Sequence, residues 1–274
     1  MYSNLIDFKN TIKSKRWLWA VGYLVASFLF FFLIHLNLEG FFGSDAFYHA
    51  AHSSYYQDTF YHTQDWIKLH FLSTQSLDPY FLFHKGGGIF ISWFGKELGF
   101  KIFGSLLSAL VIASFYVLLK LFKVKHSHYW TLFFALSSSH FLMRLFLIRS
   151  YLLAIPLILF SYYFIKEEKW KWLILTSSFY ALYYELSFFL ILIASAFTIS
   201  SYINNKKIKL KPVLYCLLGI IIGVILHPSS LNYLRQFYVH VPKIFYLKLI
   251  GVKLPTGNEI NMRGFIELLK KNYL

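Results

Sequence analysis

Residues 17–36 read WLWAVGYLVASFLFFFLIHL. A run of this length supplies the roughly 20 apolar positions that a helix needs to cross a ~30 Å hydrocarbon core. In lipid, every backbone amide must find its partner within the spanning element itself, so the run can only be helical. No A-x-A-like exit follows it, which argues for a retained first helix over a cleaved signal peptide. Composition carries the same message through the rest of the chain: 57% of residues are hydrophobic, 22% aromatic and only 14% charged, against about 25% charged in soluble domains.

Further apolar blocks at about 102–122, 129–148, 150–165, 172–184, 186–203 and 212–226 predict an all-α polytopic membrane protein with about seven transmembrane helices. The formal charge of +15 does not point to nucleic acid, because the lysines and arginines fall in short links between apolar runs instead of on one amphipathic face. Lys9, Lys13, Lys15 and Arg16 precede the first span, and Lys123 and Lys125 follow the second. Lys166, Lys169 and Lys171 follow the fourth, and Lys206, Lys207, Lys209 and Lys211 the sixth. By the positive-inside rule these links are cytoplasmic. Six of the twelve acidic residues, Glu39, Asp45, Asp58, Asp65, Asp78 and Glu97, fall between residues 37 and 100, which places the first long loop outside. The single cysteine, Cys216, excludes an intramolecular disulfide framework. The whole pattern fits a bacterial inner membrane.

The first loop, 37–100, is too long for an unstructured connection and too aromatic for a linker. Segments 45–56 and 60–72 read as amphipathic helices lying on the bilayer surface, aromatic faces toward lipid and polar faces toward water. Gly86, Gly87 and Gly88 read as a break before the next apolar stretch. The expected domain division is a transmembrane module over 1–226 and an extracytoplasmic C-terminal segment over 227–274, either a tail or the start of a further part.

The segment GSDAFYHAAHSSYYQDTF, residues 43–60, places Asp45, His49 and His52 on one helical face, with Ser44 at the helix start. Two chemistries suit that trio. Asp45 can serve as a general base toward an acceptor hydroxyl with His49 tuning its charge; alternatively, Asp45, His49 and His52 can hold a divalent ion such as Mg²⁺ or Mn²⁺. A solvated polar face is the plain alternative to both. Arg144 and Arg149 interrupt apolar sequence, where an arginine costs about 2.5–3.5 kcal/mol at mid-bilayer. They read either as interfacial anchors or as a guanidinium fork for a lipid phosphate. Glu185 within YALYYELSFFL reads as half of a structural ion pair, Asp78-Pro79 as turn initiation, His227-Pro228 as a helix stop with an interfacial histidine, and His140 as a core histidine.

Taken together, an aspartate after the first span in GSDAFYH, a long outer loop on the membrane, DPYFLFH before span two, an arginine opening span four in RSYLLAIPLIL, and HPSSLNY after span seven resemble the GT-C superfamily of integral membrane glycosyltransferases. Oligosaccharyltransferase catalytic subunits, protein O-mannosyltransferases and lipid A aminoarabinose transferases belong to that superfamily. The resemblance implies a GT-C-like module, a polyprenyl-phosphate-sugar donor, a lipid, glycan or protein acceptor, and inverting transfer at the outer side of the cytoplasmic membrane. It implies that Asp45 is the catalytic acid residue with His49 beside it, that Arg149 with Arg144 binds the donor phosphate, and that His52, Asp78, His84, Glu185 and His227 line the cavity. The loop has no D-x-D pair, so Asp78 and Glu97 are the carboxylates left to partner Asp45. An O-antigen ligase or polymerase acting on a polyprenyl-diphosphate glycan shares the outer histidine and arginine, and a scaffold or transporter is the non-enzymatic alternative.

Overall fold

The computed structural model describes residues 2–63 and 77–251, and all regular structure among the described residues is helical. Helix α1 (Tyr2–Leu36) carries the first apolar run, and α2 (Ser44–Ser54) follows a short bend. The next pair, α3 (Phe81–Phe94) and α4 (Lys96–Leu121), is joined by Gly95 alone. Its φ of +81° is one that a residue with a Cβ adopts only under strain. Then come α5 (Ser127–Leu136), α6 (Ser139–Phe146), α7 (Tyr151–Lys166), α8 (Trp170–Tyr183), α9 (Phe188–Asn205) and α10 (Lys211–Leu226). The described residues up to Asn232 form one compact unit. The second unit begins at Tyr233, and its described part consists of the end of α11 (Ser230–Tyr238), a π-helical turn over Val239–Lys243 and α12 (Ile244–Leu249).

Helices α1 and α4 run antiparallel. Near one end the rings of Tyr23 and Tyr116 lie 4.7 Å apart; near the other, His35 Nδ1 meets Ser105 Oγ at 2.9 Å and Lys101 Nζ donates to the Leu38 carbonyl at 2.7 Å. The outward stripe of α1, Trp17, Val21, Val25, Leu29 and Leu33, is exposed at four-residue spacing, as a lipid-facing helix requires. Between α8 and α10 there is no room for large side chains: Ser178 Oγ donates to the Gly219 carbonyl at 2.8 Å. This close backbone approach through small residues is typical of helix pairs in membranes.

Among the described residues, two helices are long and apolar enough to cross a membrane, Trp17–Leu36 and Lys96–Leu121; the pair α6 and α7, bent by 115°, makes a third if it is counted as one span. The helical class is as expected, and by length and composition the described helices give two or three spans where seven were expected. The block 129–148 is split in two because Ser138 adopts an extended backbone and Ser137 Oγ turns back to the Phe134 carbonyl. Helix α8, at 14 residues, is only ~21 Å long. The apolar blocks are all helical, and their lengths differ from the expected ones.

Two further readings change. Helix α2 occupies the place of the expected 45–56 segment, but His49 and His52 face the protein interior while Phe47 faces out. The polar face is therefore the buried one. Of the expected 60–72 helix, residues 64–72 lie outside the described residues, and 60–63 are not helical. Gly86, Gly87 and Gly88 lie inside α3 and do not break it. They remove the side chains that would otherwise hold α3 off its neighbours: a Cβ on Gly88 would come within 2.8 Å of the Ser53 carbonyl oxygen, and one on Gly86 within 3.1 Å of the Phe103 ring.

The basic links gather at one end of the first unit. Lys209 Nζ reaches Glu168 Oε1 at 2.9 Å, Lys166 Nζ lies 4.6 Å from the Phe122 ring centroid, and Trp19 packs on His128. Asp78, Arg149, Glu185 and His227, in connections, and Asp45, in the first turn of α2, lie toward the opposite ends of these helices. His140, read as a core histidine, is instead exposed at the start of α6.

Substituting Gly88→Val should wedge α2 away from α3 and destabilise the protein by about 1–3 kcal/mol, the usual cost of overpacking. Gly22→Ala, with open space around its Cβ, should change stability little. Thermal unfolding of the two variants in detergent checks the contrast, and equal midpoints would contradict the packing described.

Candidate functional site

The site has an outer and an inner layer. The outer layer is an ion pair: Asp45, in the first turn of α2, receives Arg149 Nη2 at 2.5 Å from the elbow between α6 and α7. The side chains retain 48% and 22% of their accessibility, so the pair is partly solvated. Near it, Tyr80 donates its hydroxyl to Glu185 Oε1 at 2.9 Å. Burial raises the Tyr48 hydroxyl above its ordinary range, with Asp78, Glu185 and Asp45 adding negative charge around it. Arg144 is exposed, and its carbonyl accepts the Tyr151 hydroxyl at 2.7 Å.

The inner layer is built on Asp78, whose side chain is fully buried. All of its polar atoms are engaged. The amide donates to Tyr61 Oη at 2.9 Å, and the carbonyl accepts from His227 Nε2 at 3.0 Å. Oδ1 accepts from the Tyr80 amide at 3.0 Å, the Asx turn that starts α3. Oδ2 accepts from Tyr56 Oη at 2.8 Å and His84 Nδ1 at 2.7 Å, and His52 Nε2 lies 3.2 Å away. Beyond His84 the chain of contacts continues, with its Nε2 2.8 Å from His49 Nδ1.

Charge and tautomer follow from this geometry. Burial pushes the Asp78 carboxyl upward, but the flanking His84 and His52 rings overcome it and hold the group well below the usual carboxylate range. Burial pushes His84 down to about 4, against the pull of Asp78. It also pushes His49 well below the ordinary histidine range, with His84 and Arg149 acting in the same direction. At neutral pH His84 is therefore a neutral ring with its proton on Nδ1, facing Asp78. Its Nε2 then accepts from His49 Nδ1–H, because a neutral imidazole has one donor and one acceptor. His227 has its proton on Nε2, since its Nδ1 accepts the Ser229 amide at 3.1 Å.

The residues expected to act together are thus divided between the layers. Asp45 pairs with Arg149, His49 with His84, and His52 with Asp78, so the alternative ion-binding trio of Asp45, His49 and His52 is not assembled as one set. The three described groups placed to hold a metal are His52, Asp78 and His84, with donor atoms all within 4.8 Å of one another. Glu97, a candidate second carboxylate, binds Lys101 Nζ at 2.6 Å instead. Sequence reasoning gave Asp78 a turn-forming role or a place in the cavity lining with His84, did not join the two, and passed over Tyr56, Tyr61 and Tyr80. The available signal was a second aspartate and histidine, Asp78 and His84, straddling the start of an apolar helix. Compared with protein-family models, curated proteins and solved structures, the chain matches none.

The buried neutral His84 makes stability pH-dependent. Its pKa is about 4 folded against 6.5 for the free side chain. Between those values the unfolded chain binds the extra proton, so stability rises with pH through the window and falls on acidification. The depressed Asp78 adds stability that is present above its unfolded pKa and lost only at lower pH. In chelator-washed protein the unfolding free energy should be flat above pH 7. It should drop below pH 6.5 by up to about 1.4 kcal/mol per pH unit for each such histidine. Thermal melts across pH 4–8 test this, with His84→Gln expected to flatten the slope.

Proposed function

We propose that the chain is a membrane glycosyltransferase of the GT-C kind, transferring a sugar from a polyprenyl-phosphate-linked donor to a lipid, glycan or protein acceptor at the outer side of the cytoplasmic membrane. The observation that carries this reading is the Asp45–Arg149 pair. It joins the acid of the first outer loop to the arginine opening the helix after the elbow, at the end of the unit away from the lysine links. The N-terminus and those links are cytoplasmic in this reading.

The chemistry asks for a cation where a phosphate leaves and a base where a hydroxyl attacks. A partly solvated ion pair is worth only about 0–1 kcal/mol, so a donor phosphate can displace Asp45 from Arg149 at small cost. The planar guanidinium suits phosphate oxygens, and the released Asp45 carboxylate becomes available to take the acceptor proton. Tyr80 and Glu185, hydrogen-bonded to each other, lie near the pair and offer hydroxyl and carboxylate groups for orienting a sugar. Fixed positive charge at the departing phosphate does the larger share of the work, as preorganised electrostatic stabilisation does in general.

Transfer of radiolabelled sugar from polyprenyl-phosphate donors should be measurable in membranes containing the full chain. Arg149→Ala should lower turnover about 10²–10³-fold and Asp45→Asn about 10²–10⁴-fold, at unchanged expression and melting temperature. Transfer that survives both changes would overturn the residue roles.

A further inference from the structure

We propose that His52, Asp78 and His84 form a binding site for a divalent transition-metal ion of the zinc class, which pins α2 to the start of α3. The inference is independent of sugar transfer and stands on the donor set, its spacing and its surroundings.

The donor set is two imidazoles and one carboxylate, a combination that suits zinc and its neighbours better than magnesium or calcium, which prefer all-oxygen shells. All three side chains are fully buried. Zinc bonds to nitrogen and oxygen of about 2.0–2.2 Å put two ligands of one tetrahedral ion about 3.3 Å apart. His52 Nε2 and Asp78 Oδ2, at 3.2 Å, already have that separation. His84 Nδ1 and Asp78 Oδ2, at 2.7 Å, are closer, as a hydrogen bond makes them. Rotation of either side chain by about half an ångström at the donor atom brings them to ligand spacing.

The surroundings are those that metal ligands require. A ligating histidine almost always donates its other ring N–H to an acceptor, and a ligating carboxylate is itself hydrogen-bonded. His84 has His49 Nδ1 at 2.8 Å from its far nitrogen. Asp78 has Tyr56 Oη on one oxygen and the Tyr80 amide on the other. The protons balance without loss, each ring keeping one proton on a nitrogen turned away from the ion: His52 ligates through Nε2 with its proton on Nδ1. On binding, the His84 proton moves from Nδ1 to Nε2 and is donated to His49 Nδ1, while the His49 proton moves to its own Nε2. Both rings stay neutral, and the ion takes the place of the proton that His84 held against Asp78. Three protein ligands leave a further position for water, as three-ligand zinc sites do.

The purified full chain in detergent, stripped with a chelator and desalted after exposure to Zn²⁺, should retain one equivalent per chain by elemental analysis. Its melting temperature should rise with Zn²⁺ and not with Mg²⁺, since an ion that binds only the folded form stabilises it. Co²⁺ in its place should give the visible absorption of a low-symmetry nitrogen and oxygen site. Asp78→Asn and His52→Gln should each abolish retention, whereas Asp45→Asn, outside the set, should keep it. Wild-type protein that retains no Zn²⁺ would overturn the proposal whether or not the variants fold. Retention undiminished in folded His52→Gln would overturn it as well.

Discussion

A buried carboxylate governs this structure. Asp78 has no access to water, and an ionised group in that position is tolerated only when the protein supplies the hydrogen bonds that water would have made. The donors come from separate stretches of chain, Tyr56 just beyond α2 and Tyr80 and His84 at the start of α3, with the His52 ring at the end of α2 closing on the same oxygen. Its backbone is held as firmly, by Tyr61 and by His227 at the far end of α10, 149 residues away. A loop that composition alone would leave on the surface is thereby drawn into the bundle. The three glycines of α3 make this possible, since any side chain at Gly88 would meet the Ser53 backbone.

The inner layer also sets the outer one. With His49 committed to His84, α2 is fixed in rotation, and Asp45, one turn earlier, is directed at Arg149. The elbow that presents Arg149 is itself held by packing, with Leu145, Ile148 and Leu152 buried in the same core as Phe83, Phe100 and Phe103. Buried aromatic and histidine packing on one side and a solvated ion pair on the other give a rigid floor beneath a pair that costs little to open. Such an arrangement favours exchange of partners at the surface without disturbance of the fold.

Much of the helical layout was legible in the sequence because hydrophobic runs and their basic links are local signals. The blocks read at 102–122, 150–165 and 212–226 correspond to α4, α7 and α10 within a few residues. Where the reading departed, a competing local interaction was responsible. Ser137 and Ser138 cut one expected span in two, and the 115° bend between α6 and α7 turned another pair into an elbow. The site was partly legible: Asp45, His49, Asp78, His84, Arg149 and His227 were all singled out, but which of them pair with one another was not. Helical spacing suggested Asp45, His49 and His52 as one group, and it says nothing of what the opposing element offers to each.

By itself the sequence determined that this chain is helical and membrane-inserted, that its positive links lie together at one end, and that its acids concentrate in the first long loop. Those properties follow from transfer free energy and charge, which sum along the chain residue by residue. Only the tertiary structure decided that α2 turns its histidines inward, that Asp78 is the centre of a buried network and that Asp45 meets Arg149. Such pairings join residues 6 to 149 positions apart. They depend on which small residues let two backbones approach, and no local pattern records that.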